Sequence, residues 1–336
     1  MAEMRNLILP LLLAAACAAQ TPKGWTKGKG YGWVYGPHDE VGALNGVNTP
    51  ARILAALREV KKGNVYDLGV RVGNDSYKWP GHSPTQILSY RTPEGVKRQN
   101  DIPGFGGSHP KKLAFHSCAL FISDNVGTQI DGLGHITTGD DDHWYNGFRE
   151  RDWGGNFGLR KTDADTIPPI IARGVLIDVA GWNGVEALPA NFPVGPKELQ
   201  AVLADQKVDV EPGDIVLIRT GTLRYWGGTG ADHARIAAHD SAGLTLDGAK
   251  WLVEQKGASM IGSDTSGLEV GKDPARPTLV NPVHEYLLIE QGVHIGEFHY
   301  LEDLAKSKVY RFTYVAMTNR LKGTVAGTAL RPIALE

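Results

Sequence analysis

The chain's 336 residues are enough to bury a large core in one or two domains. Its 35 basic and 37 acidic residues give a formal net charge of -2 with no long single-sign run, which argues against nucleic acid or an anionic membrane surface as the main partner. A hydrophobic content of 42%, with 42 glycines, 19 prolines and no internal or low-complexity repeat, describes a folded globular protein rich in turns.

At the N-terminus Arg5 supplies positive charge, Leu7 to Ala16 is apolar, and small residues continue to Ala19. This is the pattern of a secretory signal peptide over residues 1–19, cleaved near Ala18 or Ala19, and it directs the mature protein to the periplasm or outside the cell. The run is too short to span a bilayer comfortably. A core helix is the alternative, and Cys17 behind Ala14-Ala15-Ala16 offers another, a lipidated first residue of a lipoprotein. With Cys17 removed or acylated, Cys118 stands alone and no intrachain disulfide is possible.

Residues 20–65 read as an arm and a helix. Trp25, Tyr31, Trp33 and Tyr35 suit a segment wrapped over the main body, and Thr49-Pro50 reads as N-cap and first helical residue. Ile53, Leu54, Leu57 and Val60 then form one apolar face, and Gly63 stops the helix. Tyr66 to Val72 has the look of a strand, leading into the turn Lys78-Trp79-Pro80-Gly81-His82, where His82 reads as a polar loop residue. Leu113 to Ser123 alternates as a strand, with His116 and Cys118 packed within it.

That strand delivers the densest chemistry in the chain, Asn125-Val126-Gly127-Thr128-Gln129-Ile130-Asp131-Gly132-Leu133-Gly134-His135. If Leu120 to Asp131 is extended, Gln129 and Asp131 project the same way about 7 Å apart, and both oxygens can reach one cation. Gly132 and Gly134 permit a close-packed turn that swings His135 back over the same point as ligand or proton carrier. A polar strand end followed by a glycine turn is the plainer alternative. The loop Gly139 to Gly147 carries His143, Trp144 and Tyr145, which either roof a pocket or form a solvated loop with two buried aromatics.

Beyond it, Gly174 to Ala180 and Gly213 to Thr220 are apolar runs bounded by turn residues, as buried strands are. Leu199, Val202 and Leu203 mark a helix between them, and a second helix covers about Leu246 to Lys256 before Gly257. Met260-Ile261-Gly262 is a short strand tipped by Ser263-Asp264-Thr265, and Lys308 to Ala316 alternates as a half-buried strand. One Gln, one Asp and one His are too few to hold a metal firmly, so distal ligands are expected. His284, beginning a short helix, and Glu297, ending the strand-like run from Gly292, are the best candidates. His284 as a helix cap and Glu297 as an arginine partner are the alternatives, and His294, His299 and Glu302 crowd the same region.

The chain resembles the metal-dependent cyclase-like hydrolase family, which includes bacterial kynurenine formamidase and isatin hydrolase. The family's hallmark, His-x-Gly-Thr-His-x-Asp-x-x-x-His, is matched by residues 125–135. Similarity continues in the Trp79-Pro80-Gly81-His82 turn, Arg173 to Asp178, Gly213 to Gly221, Ser263-Asp264-Thr265 and Gly292 to Leu304. The resemblance implies one α/β domain over 66–336, the cyclase-like swivelling β/β/α fold with a mixed sheet. It also implies Asp131 as metal ligand, His135 as the proton-transfer residue, and His284 with Glu297 as distal ligands. Asn125 and Gln129 replace the two leading histidines of the hallmark. Amide oxygens are weaker and harder ligands than imidazole, which shifts preference from Zn2+ towards Mn2+ and favours a single ion.

The activity implied is metal-dependent hydrolysis of a carbon–nitrogen amide bond in a small cyclic amide, imide or aryl formamide, with Trp79, Trp144, Tyr145 and His143 as substrate-binding candidates. Lactone hydrolysis, cyclisation or dehydration are rivals on the same scaffold, and a periplasmic ligand-binding protein with a degenerate site is a rival of another class. Relatives imply a homodimer or homotetramer. No Gly-x-Ser-x-Gly elbow, phosphate loop or Cys-x-x-Cys pair is present.

Overall fold

The structure is a computed structural model that describes residues 24–336. The expected signal peptide and Cys17 lie outside the described residues. In chain order the strands are β1 Val65–Asp67, β2 Gln86–Arg91, β3 Ser117–Phe121, β4 Gln129–Asp131, β5 Ile170–Asp178, β6 Pro193–Val194, β7 Ile215–Arg219, β8 Gly243–Leu244, β9 Met260–Ser263, β10 His294–Glu297, β11 Arg311–Ala316, β12 Ala326–Gly327 and β13 Ile333–Leu335. Nine of them form one mixed sheet in the order β1-β13-β11-β5-β7-β9-β10-β4-β12.

The centre of that sheet, β5, β7, β9 and β10, is parallel. Its strands are buried on both faces, as parallel strands covered on each side are, and β5, β7 and β9 are mostly apolar, while β10 carries His294 and Glu297. One face packs on the helix Pro196–Gln206, which buries Leu199, Val202 and Leu203, and on the helical stretches Leu246–Lys256 and Pro282–Glu290. On the other face a second cluster joins Leu176, Leu217, Phe312 and Tyr314. Gly257 ends its helix at φ 76°, a conformation that costs glycine little, and a Cβ there would meet Pro212.

The N-terminal arm straps the helices. Trp25 Nε1 donates to the Val253 carbonyl at 2.6 Å and Trp33 Nε1 to that of Ile289 at 2.7 Å. Tyr31 is buried, its hydroxyl 2.7 Å from Ser259 Oγ. The helix Pro50–Leu57 forms with Thr49 as its cap, but its buried side chain is Ala56, flanked by the half-buried Ile53 and Val60; Leu54 and Leu57 are exposed.

Two strand expectations are corrected. Only Val65–Asp67 of the first pairs into the sheet, on β13. The expected run from Leu120 through Asp131 is broken: β3 ends at Phe121, residues 122–128 turn, and β4 begins at Gln129. Gly127, at φ 64° with Val72 pressed against the place of a Cβ, makes that break. β3 instead pairs with β2 in a separate two-stranded ribbon, and Cys118 on it is exposed, not packed.

Candidate metal centre

β4 is hydrogen-bonded between β10 and β12, and its register sets Gln129 directly opposite Glu297. Alternation along β4 puts Gln129 and Asp131 on one face, both fully buried. The turn after β4 closes with the His135 N–H donating to the Gly132 carbonyl at 3.0 Å, which brings His135 back to the strand. Gly132 and Gly134 allow it by close approach: a Cβ on the first would lie 2.8 Å from the Val325 carbonyl, and on the second 2.4 Å from Leu159. Asn125 comes from the turn before β4, which is pinned by Asp124 accepting from the Val325 N–H at 2.8 Å.

His284 arrives from a helix that opens with Asn281 in the left-handed region and Pro282 at its first position. Its Nδ1 is hydrogen-bonded to Glu269, which also accepts from the Val283 N–H at 3.0 Å. A carboxylate on Nδ1 fixes the tautomer and turns Nε2 inward. Nε2 then lies 3.6 Å from Glu297 Oε1 and 3.9 Å from Asp131 Oδ2. Burial disfavours the imidazolium, but the bonds to Glu269 and Glu297 outweigh it and push His284 up to about 10. Burial, then repulsion from Asp131, raises Glu297 well above the usual carboxylate range.

Donor atoms of Asp131, His135 and His284 all lie within 4.8 Å of one another. Asp131 Oδ2 and His135 Nδ1 are buried with no hydrogen-bond partner. Buried polar atoms are nearly always satisfied, and an unpartnered carboxylate oxygen beside His284 and Glu297 is what a cation requires, while the unpartnered His135 nitrogen is left open to water or substrate. Carboxylate oxygen with imidazole nitrogen is the donor set of manganese or zinc. The residues fit a divalent ion.

His135, His284 and Glu297 line a cavity of about 690 Å³ whose wall also includes Trp79, His82, Asn125 and Asp240. Trp79 stands edge-on to His82, ring centroids 5.6 Å apart. Burial, then the neighbouring His135, lowers the pKa of His82. His82, read from sequence as a plain loop residue, therefore belongs to the wall, and the Trp79-Pro80-Gly81-His82 motif was its signal. Glu269 and Asp240 carried no signal, since nothing local marks either one as a partner of this site.

The structure does not bring the loop aromatics to the cavity. Trp144 and Tyr145 are fully buried in the core, and the Tyr145 hydroxyl donates to Asp39 at 2.7 Å. His143 is bonded to Asp141 at 2.7 Å and does not line the cavity. The rival histidines are turned elsewhere: His294 Nδ1 meets the Asp131 backbone carbonyl at 2.8 Å, and His299 Nε2 meets the Tyr314 hydroxyl at 2.9 Å. Glu302 pairs with Arg219.

The family model for cyclases matches residues 66–270, more than half of the chain. The chain belongs to the cyclase family. Among solved structures this cyclase-family chain is similar to one described as a novel cyclase, at 29% identity over 90% of this chain and 96% of that one, with a TM-score of 0.76. It shares its fold with isatin hydrolase A from Ralstonia solanacearum, at 20% identity, 85% and 98% coverage and a TM-score of 0.58. The same holds for isatin hydrolase A from Labrenzia aggregata bound to benzyl benzoate, at 17% identity, 81% and 94% coverage and a TM-score of 0.57. No curated protein matches the sequence. The expected α/β fold with a mixed sheet is therefore the one observed.

Proposed function

We propose that the chain is a metal-dependent hydrolase that cleaves a carbon–nitrogen amide bond in a small cyclic amide, imide or aryl formamide. The observation that carries this reading is the convergence of Asp131, His135 and His284 donor atoms beside a cavity that His135 and His284 line, with Asp131 Oδ2 unpartnered. Asp131, His284 and Glu297 would hold one Mn2+ or Zn2+ ion. A divalent ion in that position supplies Lewis acidity to a carbonyl and acidity to water.

The remaining steps belong to the chain. His135, half-buried at the cavity side of the cluster, takes the proton of the attacking water and returns it to the leaving nitrogen. Its ring centroid is 6.2 Å from that of His284, close enough to share a substrate atom between them. Glu269 orients His284 through its Nδ1. Trp79 offers a flat apolar face to a planar substrate, and Asn125 presents an amide to the same space.

Around this site we propose residues 20–65 as arm and helix and 66–336 as the hydrolase domain, secreted or periplasmic by the signal at 1–19. No helix among the described residues is long and apolar enough to cross a membrane. We also propose a homodimer or homotetramer.

Metal analysis and turnover on a panel of cyclic amides, formamides and lactones test the reading. Asp131→Ala is expected to lose the ion, and His135→Ala to keep it while turnover falls about 100-fold or more. Lactone turnover alone would replace the amide reading with a lactonase. Ligand binding with no turnover by the metal-loaded protein would establish the binding protein instead.

A further inference from the structure

Gln129 stands where two buried carboxylates would otherwise confront each other. Its Nε2 lies 2.7 Å from Glu297 Oε2, 2.9 Å from Asn125 Oδ1 and 3.2 Å from Asp131 Oδ1. An amide nitrogen has two hydrogens and no acceptor to offer, so it meets three oxygens only as a donor, with one hydrogen shared. The opposite orientation would set the amide oxygen against Asp131 Oδ1 and Asn125 Oδ1, neither of which has a hydrogen to give. The observed one leaves Oε1 buried and unpartnered, a cost that the acceptors around Nε2 offset.

Backbone register holds it there, because Gln129 and Glu297 are cross-strand partners in the interior of the sheet. Asp131 is thereby divided. Its Oδ1 faces the amide, and its unpartnered Oδ2 lies 3.9 Å from His284 Nε2, in the cluster that His135 completes.

We infer that the Gln129 amide is a fixed, uncharged stand-in for a cation, which closes the position bounded by Asn125, Asp131 and Glu297 and leaves this chain a single divalent-ion site on the Asp131 Oδ2 side. The inference deepens the hydrolase reading and rests on it. Three convergent oxygens, two of them from carboxylates, are a donor set for a hard divalent cation. The amide hydrogens take up that demand instead, and relieve the repulsion between Asp131 and Glu297 without a second ion. Gln129 and Asn125 are the two positions where the sequence departs from the family hallmark, so the departure closes one position and spares the other.

The test counts ions. The wild type, the near-isosteric Gln129→Glu and the double variant Asn125→His/Gln129→His are loaded with Mn2+, dialysed, and measured by elemental analysis and electron paramagnetic resonance, with circular dichroism to confirm folding. One equivalent is expected in the wild type, with the spectrum of an isolated ion. Two equivalents with an exchange-coupled pair are expected in each folded variant, and Gln129→Glu decides alone if the double variant does not fold. Two equivalents in the wild type, or one in a folded Gln129→Glu, overturns the inference while the hydrolase reading stands. No ion in the wild type overturns both.

Discussion

Trp79 and Trp144 are chemically identical and had equal standing as substrate platforms, yet the fold gives them opposite surroundings. Trp144 has no exposed surface, whereas Trp79 is 53% exposed on the cavity wall. Replacing Trp144 with alanine deletes a large core side chain and is expected to cost about 3–5 kcal/mol in urea unfolding. Trp79→Ala is expected to change stability by only about 0.5 kcal/mol. It should instead raise KM roughly tenfold for a planar substrate, the equivalent of one lost aromatic contact. Equal KM values for Trp79→Ala and wild type would remove Trp79 from the substrate site.

At the scale of elements, the cavity edge of the sheet is pinned by Asp264 at the tip of β9. It accepts from the Thr220 N–H, the Thr220 hydroxyl and the Gly221 N–H, each at 2.7 Å, so it ties the end of β7 to β9. Gly221 is at φ 89° with the Glu186 carbonyl 2.1 Å from the place of a Cβ, so the turn is built for glycine. Complete burial outweighs these donors and raises Asp264 to about 6. An acid whose folded pKa is raised binds more protons folded than unfolded. Its contribution is therefore full below about pH 4 and declines as pH rises through about 6. The stability difference between wild type and Asp264→Asn should fall by about 2 kcal/mol between pH 4 and pH 7. A difference that instead grows as pH rises would show that the three donors, and not burial, set the titration.

At the scale of the molecule, the ribbon of β2 and β3 stands apart from the nine-stranded sheet and exposes large apolar side chains. Leu88 and Phe121 on one face of the ribbon are 57% and 61% exposed, and Leu120 on its other face is 65% exposed. Apolar surface on both faces of a ribbon is costly on an isolated protein and suits a subunit contact. We expect sedimentation to give a dimer or tetramer, and Leu88→Glu with Leu120→Glu to shift it towards the monomer with the metal content unchanged. A monomeric wild type would end the oligomer proposal.

How much of this is legible in the sequence depends on the range of the interaction. Apolar runs with turn residues at their ends named β5, β7 and β9, alternation over Lys308 to Ala316 named β11, and Gly257 marked its helix end, because pattern and backbone preference are local. The alternation of Gln129 and Asp131 and the turn that returns His135 were local too. The assignment failed where a tertiary contact chose between equal local options: Gly127 against Val72 broke the expected strand, and Trp144 and Tyr145 went to the core instead of the cavity. Sequence alone determined which chemical groups the chain carries and the family pattern they follow. Only the tertiary structure decided that Glu297 sits across from Gln129, that Glu269 turns His284 inward, and that one amide nitrogen faces three oxygens. Those are contacts between residues far apart in sequence, and no local energy encodes them.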